Sequence, residues 1–436
     1  MQKNNTVKGQ DKKDISKEKI MKAVHNEKNK IDYLFAWLIL VGAAIQNRFF
    51  DEIISVGGMD AVSLLLTIIL FITFGRYMLR RKFKFPKDEF ILVAYTVCVC
   101  AFSVIAVGMT SSVLLCFRTM IYLVITFIFF KNIALNEEDI IHLFRIAGLF
   151  NALICLYFYV QNVGIYGAGF RDVSINLYFS LLSIILCLFV KLQGERTVGK
   201  YGIALVCMIA IFTSQQRTQI IPLAIILTLF IMTSVGFDVK KIFNMACVCV
   251  LVVIVINIAK NIGMLDFVLK RLEIDSILNS NDTLGIRLTT SSNYFSNLSC
   301  VQWLIGTGLA GKGELEMLFP NYIYKYGVIG TGIILSLTLL KMLKYGFQYE
   351  NTYKRVLTIA LLLMSIGGVI SGFGGQNGQL FVAAIMGTVS NKNIQMNTSC
   401  IYSLPLSRFK IGGGINNVAC RRHLPAFSME IGGVAV

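Results

Sequence analysis

Long apolar runs alternate with short charged connections along most of the chain. Runs such as AVSLLLTIILFITF (61–74) and MIYLVITFIFF (120–130) belong to stretches that approach the ~20 apolar residues a helix needs to cross a bilayer core. Hydropathy places about twelve such stretches, near residues 33–47, 59–79, 90–108, 111–130, 140–160, 175–190, 200–213, 218–236, 242–258, 320–341, 356–372 and 379–390. The connections between them are short, with one exception at residues 259–319. Within that connection Leu265, Val268, Leu269 and Leu272 recur at helical spacing, which predicts a short interfacial helix.

Composition agrees with this pattern. Hydrophobic residues make up 56% of the chain and charged residues 15%, against roughly 25% charged in soluble domains. With a mean hydropathy of +0.68, a soluble globule is excluded, as are disordered, collagen-like and coiled-coil classes. The expected fold class is an all-α polytopic integral membrane protein, with about twelve transmembrane helices and one large extracytoplasmic loop. Eight of the eleven cysteines lie within apolar runs, where cysteine packs as a small hydrophobe. Neither a disulfide framework nor a zinc site is expected, and no metal or other cofactor.

The net charge of +17 bears on orientation before it bears on any nucleic-acid partner, and none is expected. Lys and Arg number 29 in the connections on the N-terminal side and 8 on the opposite side. By the positive-inside rule both termini are then cytoplasmic. Residues 1–32 read as a basic cytoplasmic arm without signal-peptide character, and 33–258 as helices one to nine. Residues 259–319 read as the large outer loop, 320–390 as helices ten to twelve, and 391–436 as a disordered cytoplasmic tail. The basic connections suit the anionic headgroups of membrane lipids.

Charges at membrane depth are costly and mark functional candidates. Arg118, in SSVLLCFRTMIYL, lies ~10 Å along the fourth stretch from its outer end, at 1.5 Å per residue. It reads equally as a carbonyl-bonded structural arginine or as an anion-binding one. Arg217 stands in FTSQQRTQIIPL, among hydroxyl and amide side chains at the start of the eighth stretch. A guanidinium fork beside free helix N–H groups there makes an anion pocket; the alternative is an interfacial anchor. Arg287, in DTLGIRLTTSSNYFSN, is a weaker candidate when taken alone. Glu314 and Glu316 precede the tenth stretch, where a carboxylate near a low-dielectric boundary can serve as a general base. All three histidines, His25, His142 and His423, fall on the cytoplasmic side.

In these segments the chain resembles the O-antigen polymerase/ligase superfamily, membrane enzymes that polymerise or transfer lipid-pyrophosphate-linked surface polysaccharides. The likeness rests on three features. They are the order of spans around one large outer loop, the QQRTQIIPL turn (215–223), and GIRLTTSSNYFSN followed by WLIGTGLAGKG and then YKYGVIG. Gln216 stands where the family often has Ser, and Glu316 where the ligase branch has His, which favours the polymerase branch. The resemblance implies a polymerase of undecaprenyl-pyrophosphate-linked oligosaccharide repeat units, acting in capsule, exopolysaccharide or O-antigen synthesis at the outer face of a bacterial plasma membrane. Arg217, Arg287 and Arg118 would hold the pyrophosphate, with Arg287 also assisting the reaction, and Glu316 would deprotonate the acceptor hydroxyl. No cofactor is implied; a flippase and a chain-length regulator are the partners such an enzyme works beside. The alternatives are a lipid-linked oligosaccharide flippase or transporter, and a ligase of the same superfamily.

Overall fold

The computed structural model describes residues 30–45, 55–56, 59–161, 177–192, 195–214, 217–235, 283–308, 318–348, 352–368, 376–392 and 401–402. These residues are mostly helical, and five of the helices are long and apolar enough to cross a membrane. That is the make-up of a helical membrane protein. The stretch read at 242–258, the leucine pattern at 265–272, Glu314, Glu316 and the tail beyond 402 lie outside the described residues.

Helix α1 covers residues 30–45. It is followed by α2 (Ala61–Arg80), α3 (Lys87–Val107), α4 (Ser111–Asn132) and α5 (Glu137–Gln161). Next come α6 (Tyr178–Phe189), α7 (Thr197–Ser214) and α8 (Arg217–Val235). Two helices, α9 (Thr283–Ser296) and α10 (Cys300–Ile305), fall within the segment read as the outer loop. The last four are α11 (Leu318–Leu337), α12 (Leu339–Gly346), α13 (Thr352–Gly368) and α14 (Gln376–Ser390). Two-residue strands β1 (Ser55–Val56) and β2 (Met59–Asp60) pair antiparallel, as do β3 (Val190–Lys191) and β4 (Ile401–Tyr402).

The helix starts are written locally. Thr110 caps α4 by accepting the Val113 N–H at 3.3 Å, which satisfies one of the free donors at that end. Asp88 and Glu89 open α3, and Glu137, Glu138 and Asp139 open α5, each set placing negative charge at the positive end of the helix dipole. Apolar residues occupy both faces of α2: Leu66, Ile69 and Leu70 are buried, whereas Leu65, Ile68, Phe71 and Ile72 are exposed. An apolar face turned outward suits lipid rather than water.

The most extensive helix contact joins α4 to α14. Gly387 permits it, because a Cβ there would lie 2.6 Å from the Phe127 carbonyl oxygen. Small residues that let backbones approach are the usual device of helix packing in membranes. Polar side chains tie other pairs. Asn151 of α5 donates to the Ala44 carbonyl of α1 at 2.8 Å and accepts from the Ser180 hydroxyl of α6 at 3.0 Å. Tyr122 of α4 donates to the Ser63 carbonyl of α2 at 2.8 Å.

Two elements depart from the hydropathy reading. The stretch at 175–190 yields α6, which has 12 residues and is ~18 Å long, too short for a bilayer core of ~30 Å. Every one of its residues is buried in the protein, so its apolar character answers to protein rather than to lipid. The stretch at 320–341 is broken twice, at Gly327, whose φ of 65° and ψ of −179° are non-helical, and at Thr338, where α11 gives way to α12.

Candidate functional site

The two glycine motifs singled out in the sequence lie against each other. Ser299 and Gln302 form a capping box that starts α10, and Gly306, at φ 85° and ψ 176°, ends it. The chain then turns onto the kink of α11, where the Thr307 N–H and hydroxyl both donate to the Tyr324 carbonyl at 2.9 Å. The fit is reciprocal: a Cβ on Gly306 would overlap the Lys325 carbonyl, and one on Gly327 would overlap the Leu304 carbonyl. Only glycine fits on either side.

Aromatic rings gather around this junction. Tyr294 of α9 meets Tyr324 edge-on at 5.1 Å, Phe295 stacks on Trp303 at 5.1 Å, and Tyr322 meets Tyr326 at 5.7 Å. Tyr322 is buried and donates to the Gln379 side chain of α14. Helix α3 backs the junction, with Tyr95 against Gly330 and Ser103 beside Gly308. Trp303, Leu304 and Ile305 remain exposed. Rings with a polar edge and an open indole face are suited to stacking on a sugar.

Arg287 lies on α9, the helix joined to this junction through Tyr294, and its own side chain is not among those described. Arg217 is the first residue of α8, as the sequence led us to expect of a helix start, and its side chain is likewise not described. Two residues on, Gln219 is fully buried, and neither its amide oxygen nor its nitrogen has a hydrogen-bond partner among the described residues. Arg118 lies on α4, partly buried, with Nε and Nη1 buried and likewise without a partner there. Buried polar groups are nearly always hydrogen-bonded, and an orphaned one asks for a missing ligand or ion. Glu316 lies outside the described residues, so its relation to the three arginines is not part of this geometry.

Lys325 had been counted only as a charge near a span end. It is 2% exposed, on the turn of α11 between Tyr324 and Tyr326. A buried lysine within an apolar run is the signal by which it could have been singled out.

The ion pairs collect where α1 and α3 begin and α2 and α4 end. Asp32 pairs with Arg76 and Arg80, and Glu89 accepts from Tyr77, from Lys131 at 2.8 Å and from Asn132 at 3.0 Å. Lys131 and Lys341 share Asp88. Arg145 is buried, donates to the Leu186 and Val190 carbonyls at 2.9 and 2.7 Å, and pairs with Glu195. These groups satisfy one another. Lys354, ahead of the apolar stretch of α13, donates to the Asn391 carbonyl. Burial, with the Lys392 charge adding to it, lowers its ammonium to about 8. Among the described residues no cluster of three potential metal ligands occurs.

Comparison with protein-family models and with curated proteins finds no match to this chain.

Proposed function

We propose that the protein polymerises lipid-pyrophosphate-linked oligosaccharide repeat units at the outer face of a bacterial plasma membrane. The proposal includes the finer topology: about twelve spans, a large outer loop holding α9 and α10, and the ion-paired end of the bundle in the cytoplasm with both termini. The observation that carries it is the pair of orphaned polar groups, the Gln219 amide beside Arg217 and the Arg118 guanidinium, in the regions nominated for binding an anion. The packed glycine motifs and the aromatic junction supply a surface for the glycan.

In this reading Arg217, Arg287 and Arg118 grip the pyrophosphate of the donor. An acceptor sugar hydroxyl attacks the anomeric carbon, and its proton passes to Glu316. The anomeric C–O bond breaks, and its electron pair leaves with the polyprenyl pyrophosphate. The guanidinium groups then act where negative charge develops, which is where fixed donors contribute most to rate. Trp303 and Tyr294 offer ring faces for the sugars.

The test is a polysaccharide gel from a deletion strain complemented with variants. Arg217→Ala and Glu316→Gln should each leave single-repeat product while the protein accumulates and inserts as wild type. Polymer of normal length from Arg217→Ala would overturn the assignment, and lipid-linked repeats trapped inside the cell would point to a flippase instead.

A further inference from the structure

A second anion site is built into the opposite, ion-paired end of the bundle, and it does not rest on the polymerase reading. Arg76 and Arg80 stand one helical turn apart on the last two turns of α2, so they share a face. Both direct Nη1 at the same oxygen of Asp32 on α1, each at 3.0 Å, and Arg80 also reaches the second oxygen at 3.2 Å. The Asp32 side chain is 4% exposed. One buried carboxylate thus faces two guanidinium groups, which between them carry ten N–H donors. The other nearby carboxylate, Glu89, is already held by Lys131, Tyr77 and Asn132.

The surplus positive charge lines an open cleft of about 310 Å³, walled by Phe35, Thr73, Arg76, Arg80, Phe129 and Asn132. Arg81 adds a third guanidinium at the end of α2, over the Tyr77 ring at 5.6 Å and donating to Asn132 at 3.0 Å. Paired guanidinium groups with donors to spare favour phosphate oxygens, which accept forked bonds.

The surroundings indicate where that phosphate comes from. The turn after α2 places Lys82 and Phe83 at positive φ, 50° and 58°, a conformation rare for residues with side chains. It turns Phe83 outward, 67% exposed, beside Leu79 at 70%. Lys82 and Lys84 flank them, both exposed. Apolar side chains projecting next to a basic cleft are what a protein presents at the boundary between acyl chains and headgroups.

We propose that this cleft binds the headgroup phosphate of an anionic phospholipid, clamping it between Arg76 and Arg80. Native mass spectrometry of the full-length protein in detergent, titrated with phosphatidylglycerol or phosphatidylcholine, tests it. Phosphatidylglycerol should bind at least tenfold more tightly than phosphatidylcholine. The combined variant Asp32→Asn, Arg76→Gln, Arg80→Gln, which leaves no unpaired carboxylate behind, should erase that preference. Arg76→Lys with Arg80→Lys preserves the charges and the Asp32 pairing, covers the case in which the first variant does not fold, and should weaken phosphatidylglycerol several-fold because an ammonium cannot fork. Unchanged phosphatidylglycerol affinity in either folded variant overturns the proposal. Displacement of the lipid by millimolar inorganic phosphate would assign the cleft to a free anion and overturn its lipid occupant.

Discussion

Alanine at position 327 would meet two obstacles that can be sized from the structure. The backbone there sits at φ 65° and ψ −179°, a region essentially reserved for glycine, and holding another residue in it costs about 1–3 kcal/mol. The added Cβ would also overlap the Leu304 carbonyl and the Gly306 N–H. Restoring ordinary contact requires the 304–306 segment and the α11 kink to part by ~1 Å, at about 1–3 kcal/mol in an otherwise packed region. The sum, ~2–6 kcal/mol, is a large share of the ~5–15 kcal/mol that holds a typical domain folded. A ~1 Å displacement at a reacting site costs on the order of 100-fold in rate. Gly332, five residues along the same helix, is the internal control, because a Cβ there meets nothing within 4 Å. Thermal unfolding in detergent and polymer length on a gel should therefore separate the two variants. Gly327→Ala should lose both stability and long product, and Gly332→Ala should keep both, with stability rising by about 0.5–1 kcal/mol. If Gly327→Ala unfolded at the wild-type temperature and gave wild-type product, the reciprocal glycine contact would have no part in either property.

Two further outcomes follow from the ion-paired end. Glu89→Gln removes a buried charge that Lys131, Tyr77 and Asn132 all engage; it should destabilise the protein by about 3 kcal/mol, and thermal unfolding within ~0.5 kcal/mol of wild type would refute the staple. Lys354 has an ammonium lowered to about 8, below the ~10.4 of an unfolded lysine. The unfolded chain therefore binds the extra proton between those values, so stability should rise as pH is raised from about 8 to 10.5. Lys354→Met should flatten that part of the profile, and an unchanged slope would count against the assignment.

Hydropathy reads the long helices because a lipid-facing and a core-facing position both call for an apolar residue, and α2 and α3 carry both kinds. For the same reason it cannot distinguish α6, which meets protein on every side, from a helix that meets lipid. The WLIGTG and YGVIG motifs are legible as spacings of small residues, whereas their mutual contact depends on two backbone kinks that no periodicity encodes. Counting charges by connection gives the sidedness pattern but hides which cations have partners. Arg145 and Lys131 turn out to be held by carbonyls and carboxylates, whereas Arg118 keeps two buried donors unengaged. Gln219 drew no attention as a neutral residue in a polar turn; its isolation emerges only from its surroundings.

The enclosure of α6 bears on how the chain is assembled. A 12-residue helix is too brief to hold a stable place in a bilayer by itself, and its neighbours α5, α7 and α8 are the groups that embrace it. Its lodging therefore waits on helices synthesised after it. A nascent chain halted just beyond residue 192 holds a segment with no settled home, and release of α7 from the ribosome is the step that closes the bundle around it.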